Sequence, residues 1–136
     1  VARTLVSTTS PLSVRRLGDA APELTRAISY PRDRFHVARI RWPRAVSSGG
    51  AAAVRAAMPG RVALLLRYAR ANALSLQYRL VSPPVVHAAH ARGAPVLAWT
   101  VNDPAQMERV ALAGVDAIVT DDPPRAFDVL ARLKPL

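Results

Sequence analysis

Pro95–Asp122 reads PVLAWTVNDPAQMERVALAGVDAIVTDD, and this stretch decides the fold. Val96–Val101 is a short apolar run. Asp103 opens a helix, Gly114 stops it, and Val115–Thr120 is a second apolar run. The expected order is strand, helix, strand. In both runs apolar residues follow one another instead of alternating, which suits strands covered on both faces in a parallel sheet. Polar residues stand where each run ends, at Thr100 and Asn102 and again at Thr120 and Asp121. In α/β folds ligands bind at that end of the strands.

Outward from this unit the same device recurs. Ser10-Pro11, Ser82-Pro83, Asp103-Pro104 and Asp122-Pro123 each place a capping oxygen before a proline. The Ser or Asp accepts orphan helix N–H groups, and Pro fits the first helical position because it has no N–H to lose. Each follows a strand-like run: Thr4–Ser7, Ala73–Leu76, Val96–Val101 and Val115–Thr120. The predicted helices are Ser10–Asp19 with Gly18 closing it, Pro84–Ala91 and Pro123–Leu133. A further short strand is expected near Arg26–Tyr30. Repeated strand–helix units in right-handed succession build a parallel sheet. No nucleotide-type glycine loop follows any strand, which favours a piece of a βα-barrel over a doubly wound sheet.

Residues 31–70 break the pattern as an Arg-rich excursion, with Phe35 and Trp42 between arginines and a flexible Ser47–Gly50. An Ala-rich helix over Ala51–Met58 should end at Pro59-Gly60. A second, amphipathic helix is expected over Arg61–Ala71, with Leu65, Tyr68 and Ala69 near one face.

The 136 residues are one domain or part of one. Net charge is +10, and every basic residue but Lys134 is arginine. That balance points to phosphates, anionic lipid or nucleic acid, with arginine suited to bidentate phosphate contacts. The absence of cysteine rules out disulfides, thiolate metal sites and a Cys nucleophile. A chain that starts at Val1 in strand-like sequence reads as a piece whose N-terminal part lies elsewhere. No compartment follows from the sequence.

Among candidate groups, the adjacent carboxylates Asp121 and Asp122 could serve a metal site, but their Asp-Pro context makes Asp122 a cap and Asp121 a loop organiser. His87 and His90 share a helix face at a spacing that can ligate metal, yet that helix belongs on the outside of the sheet. Ser7, Ser10, Ser75 and Ser82 sit in no nucleophile elbow. Trp99, near the end of a buried strand, can wall a ligand pocket and donate a hydrogen bond.

Ala98-Trp99-Thr100-Val101-Asn102 and Gly114–Pro123 (GVDAIVTDDP) together resemble the C-terminal signature of glycerophosphodiester phosphodiesterases, W-T-V-N followed by G-V-D-G-I-x-T-D-x-P. Leu5–Leu12 (LVSTTSPL) is similar to that family's mid-chain strand, V-S-S-F-x-P-L, and Leu80–Pro83 with His90 and Gly93 resembles the helix that precedes the C-terminal signature. Thr9 stands in place of the usual Phe, Ala117 in place of a glycine, and the Arg-rich stretch is longer than usual. The resemblance covers nearly all of the chain outside 31–70.

The resemblance implies a partial TIM-type (β/α) barrel, about its last five strand–helix units, with 31–70 as a variable basic insertion in a domain spanning 1–136. It implies hydrolysis of glycerophosphodiesters to an alcohol and glycerol 3-phosphate, with a divalent cation, Ca or Mg, in the complete enzyme. The family's catalytic histidines and metal carboxylates belong to H-R-G, E-x-D, H-D and E-x-K motifs of the N-terminal half, none of which occurs here. The implied partners are therefore the substrate and the missing half of the barrel, and Trp99 alone carries over, as a substrate-pocket wall. No catalytic or metal-binding residue is assigned to this chain, and alone it should be inactive. Two sheet edges, near Leu5 and Ile118, would need covering. The rival reading is a non-catalytic module that uses its basic face on an anionic membrane surface or phosphate ligands; nucleic acid is not expected.

Overall fold

The computed structural model describes residues 4–30 and 49–133. Five strand–helix units follow one another. They are β1 (Leu5–Thr8), α1 (Pro11–Ala20), β2 (Thr25–Tyr30), α2 (Gly49–Ala69), β3 (Ala73–Gln77), α3 (Pro83–His90), β4 (Val96–Trp99), α4 (Pro104–Leu112), β5 (Ala117–Ile118) and α5 (Pro123–Leu133). A 3-10 turn, Tyr78–Leu80, links β3 to α3. All strand pairs are parallel and the spatial order is the chain order, β1-β2-β3-β4-β5.

That order constrains the packing. A right-handed crossover between adjacent parallel strands always lies on the same side of the sheet. The main core forms on that side: Ile28, Leu74, Leu76, Val96 and Ala98 meet Val14, Met58, Val62, Leu66, Val85, Met107 and Val110 from the helices. The other face carries Ser7, Ala27, Ser29, Ala73, Ser75, Leu97 and Trp99, alternate with the core residues along each strand. β3 is buried on four successive residues and β2 on Ala27 and Ile28; β4 alternates buried with half-buried, and β1 and β5 contain no buried residue. The expectation of strands covered on both faces therefore holds for β3 and the middle of β2 and fails toward the edges, where less structure lies over the second face.

Three of the four caps form. Ser10 Oγ accepts from Ser13 N (3.3 Å), Asp103 Oδ1 from Gln106 N (2.9 Å) and Asp122 Oδ1 from Arg125 N (3.2 Å). Ser82 starts α3 without a side-chain hydrogen bond. Gly114, at φ +90°, turns the chain out of α4 in the left-handed conformation that favours glycine.

Two boundaries and one helix face differ from expectation. Gly18 does not close α1, which runs to Ala20. The glycine instead makes room for Arg26, whose Nε would lie 2.8 Å from an added Cβ. The break at Pro59-Gly60 is absent, because α2 passes through Pro59 as one 21-residue helix. Met58, Val62, Leu66 and Ala69 form a continuous buried stripe along it, and that packing carries the helix past a residue that cannot donate its hydrogen bond. The same stripe puts Tyr68 outside: it is 57% exposed, while Ala69 is buried.

β5 has only two ladder residues, and side chains brace it. Asp116 Oδ2 accepts from Val96 N (2.7 Å) and from His90 Nε2 (2.8 Å), tying the entry of β5 to the entry of β4 and to the end of α3. Burial pushes the Asp116 carboxyl up, but these hydrogen bonds and the His90 charge outweigh it, and the group is held below its ordinary value of 3.8.

Two outcomes follow. Pro59→Ala should raise stability by about 1–3 kcal/mol, read as a higher urea midpoint, since it restores an interior helix hydrogen bond. An unchanged or lower midpoint would mean that proline is required where it stands. The contribution of ionised Asp116 is fully present above its ordinary value and is lost as pH falls through the depressed folded value. Melting midpoints of wild type and Asp116→Asn should therefore lie apart at neutral pH and converge as pH falls below the ordinary carboxylate value through the depressed folded one. Parallel curves at all pH values would remove the carboxylate from this role.

Candidate functional site

Parallel strands end together on one rim, and this rim gathers the polar residues of the sheet. Ser7 and Ser29, near the ends of β1 and β2, hydrogen-bond through their hydroxyls. Gln77, the last residue of β3, is the register partner of Trp99, the last residue of β4. Trp99 lies on the face away from the helical core. It is half-buried, and its indole Nε1 is shut off from solvent with no hydrogen-bond partner among the described residues. A buried N–H without an acceptor costs about 1–3 kcal/mol. A ligand oxygen arriving on this rim would relieve that cost.

Beyond β4 and β5 the rim is knotted by Asn102. Its Oδ1 accepts from Thr120 Oγ1 (3.1 Å) and Asp121 N (3.0 Å), and its Nδ2 donates to Asp121 Oδ2 (2.7 Å). Asp121 therefore organises the loop, and Asp122 caps α5 and pairs with Arg125 at 3.2 Å. The turn after β3 is held by a residue with no sequence signal. Arg109, on α4, donates to the carbonyls of Tyr78 (2.7 Å) and Val81 (3.0 Å) while Gln106 Oε1 accepts from its Nε (2.8 Å). The 28 and 31 residues between these partners put the contact beyond any local pattern.

The histidines are not brought to the rim chemistry. His90 sits on the Asp116 brace and His87 lies exposed on α3; His36 and the Ser47–Gly50 break, apart from Gly49 and Gly50 at the start of α2, lie outside the described residues. Among the described residues no group of three His, Cys, Asp or Glu side chains could hold a metal ion. The described donors therefore do not fit the divalent cation that the resemblance implies.

Asn102→Ala should cost about 1 kcal/mol, since the bonds it breaks are exposed. Asn102→Asp should cost more, because it sets a carboxylate against Asp121, and high salt should relieve the excess. Equal urea midpoints for wild type and Asn102→Asp would show that the knot contributes nothing.

Comparison with known proteins gives a consistent answer. The sequence model of the glycerophosphoryl diester phosphodiesterase family matches residues 2–125. The Arabidopsis thaliana glycerophosphodiester phosphodiesterase GDPD4 is 39% identical over 59 residues, covering 43% of this chain and 18% of that protein. A candidate glycerophosphoryl diester phosphodiesterase from Silicibacter pomeroyi superposes with TM-score 0.69 at 26% identity, over 96% of this chain and 39% of that one. An Oleispira antarctica phosphodiesterase, solved with the product sn-glycerol-3-phosphate, shares the fold at TM-score 0.63 and 17% identity, over 93% of this chain and 41% of its own. The chain thus spans less than half the length of each of these relatives. With its five-stranded parallel sheet, its rim and the family match over residues 2–125, this chain belongs to the glycerophosphoryl diester phosphodiesterase family.

Proposed function

We propose that this chain forms the C-terminal wall of a (β/α) barrel in a phosphoric diester hydrolase that releases an alcohol and glycerol 3-phosphate from a glycerophosphodiester. The observation that carries this reading is the family match, which includes the strand end bearing Trp99. Sequential strand order with the core on one face supports the barrel, since a doubly wound sheet reverses its order part-way. A barrel would cover both the second face, with its serines and alanines, and the edges at β1 and β5.

Hydrolysis of a phosphodiester needs the phosphate charge neutralised, a water activated and the leaving oxygen protonated. The described rim offers hydroxyls, an amide and an indole N–H. Its carboxylates Asp121 and Asp122 are committed to loop and cap. We therefore assign this chain to substrate positioning, with Trp99 walling the pocket and offering Nε1 to a substrate oxygen. Proton transfer and phosphate neutralisation come from groups outside the described residues, and no step is routed through a metal held by this chain.

The test is release of glycerol 3-phosphate from glycerophosphocholine by the full gene product, with Ca or Mg supplied. Trp99→Phe keeps the aromatic wall and removes the donor. It should raise KM by about tenfold with a smaller change in kcat, the worth of one hydrogen bond to a charged group. The 136-residue chain alone should be inactive. A full gene product that leaves the diester intact would overturn the assignment, and full activity in the isolated chain would overturn the division of labour.

A further inference from the structure

We propose that the groove between α1 and α2 is a docking surface for an anionic lipid bilayer. The outer face of α2 lies between α1 on one side and α3 on the other, both packed against it. It is therefore not a sheet edge, and closing the barrel elsewhere would leave it uncovered. On this face Leu64 is 67% exposed and Tyr68 57%. They stand four residues apart, one turn along the same side of the helix. A globular surface does not gain by presenting two large apolar side chains together to water.

Arginines surround them. Arg15, Arg67 and Arg70 join Leu64 and Tyr68 around an open hollow of about 340 Å³. A second hollow of similar size continues past Arg61 toward Tyr30. The Arg15 guanidinium lies 5.9 Å from the centre of the Tyr68 ring, which orders both side chains. Among the described residues, the only carboxylate paired with these four arginines is Asp19, 3.2 Å from Arg70. The groove thus presents several cations in excess around an apolar centre.

That combination suits a membrane surface. Guanidinium groups take lipid phosphates bidentately, and Leu and Tyr side chains settle at the boundary between headgroups and acyl chains. A nucleic acid would satisfy the arginines and leave Leu64 unrewarded. Attachment would be peripheral, since no helix among the described residues is long and apolar enough to cross a membrane. The inference is independent of the catalytic reading, because the groove lies on the helix layer and not on the sheet face bearing Trp99.

Flotation of the full gene product with vesicles tests it. Binding should appear with phosphatidylcholine vesicles containing about a third phosphatidylserine, be absent with phosphatidylcholine alone, and weaken with salt. The double reversal Arg15→Glu with Arg67→Glu should weaken binding by about 25-fold or more, on about fivefold per basic residue. Leu64→Ser should weaken it several-fold and leave its salt dependence unchanged. Far-UV circular dichroism and melting midpoints establish that each variant is folded, and Leu64→Ser serves alone if the double variant is not. Absence of binding, equal binding to neutral vesicles, unchanged binding by the folded variants, or a preference for duplex DNA that survives Leu64→Ser would each overturn the proposal.

Discussion

Parallel pairing between consecutive strands is the constraint on which this structure depends. Each strand bonds only to the next one in the chain, so every connection must cross to the same side of the sheet. The helices then meet one continuous core, centred on Ile28, Leu74, Leu76 and Val96, and all strand ends share one rim. Both the polar rim and the serine- and alanine-bearing second face follow from that order. A single antiparallel insertion would have scattered Ser29, Gln77 and Trp99 to different ends of the sheet.

The last strand shows how backbone and side-chain hydrogen bonds together close the ends of a very short ladder: Asp116 N donates to Val96 O and Val119 N to Ala98 O, beside the side-chain contacts. Ala117 and Ile118 are its only ladder residues. Asp116 gathers Val96 N and His90 below them, and Asn102 gathers Thr120 and Asp121 above. The brackets hold β4 and β5 side by side at the two places where strands most readily fray, and they set the height of Trp99 on the rim. Of the residues that read as candidates for chemistry, Asp121 and His90 serve this bracing and Asp122 caps α5. Trp99 Nε1 remains without a partner among the described residues.

Much of this was legible in the residues themselves. The Ser/Asp-Pro pairs marked four helix starts, and Gly114 marked a helix end, because caps and left-handed turns depend on atoms within three or four residues of one another. Gly18 and Pro59 misled for the same reason in reverse. Their local preference is to end helices, but Arg26 folding over Gly18 and the Met58–Ala69 stripe packing on the sheet override it. Tyr68 misled because several apolar faces can be drawn on α2, and only the position of the sheet selects one.

By itself, then, the sequence determined the alternation of strands and helices and their capped starts, both of which rest on short-range spacing, and its motifs carried the resemblance to the family. Tertiary structure alone decided that Arg109 holds the turn after β3, that His90 braces β5 instead of approaching the rim, and that Leu64 and Tyr68 face outward among arginines. These depend on contacts across tens of residues, or on which side of a helix meets the sheet. No local pattern encodes either, because the partners become neighbours only once the parallel sheet has formed.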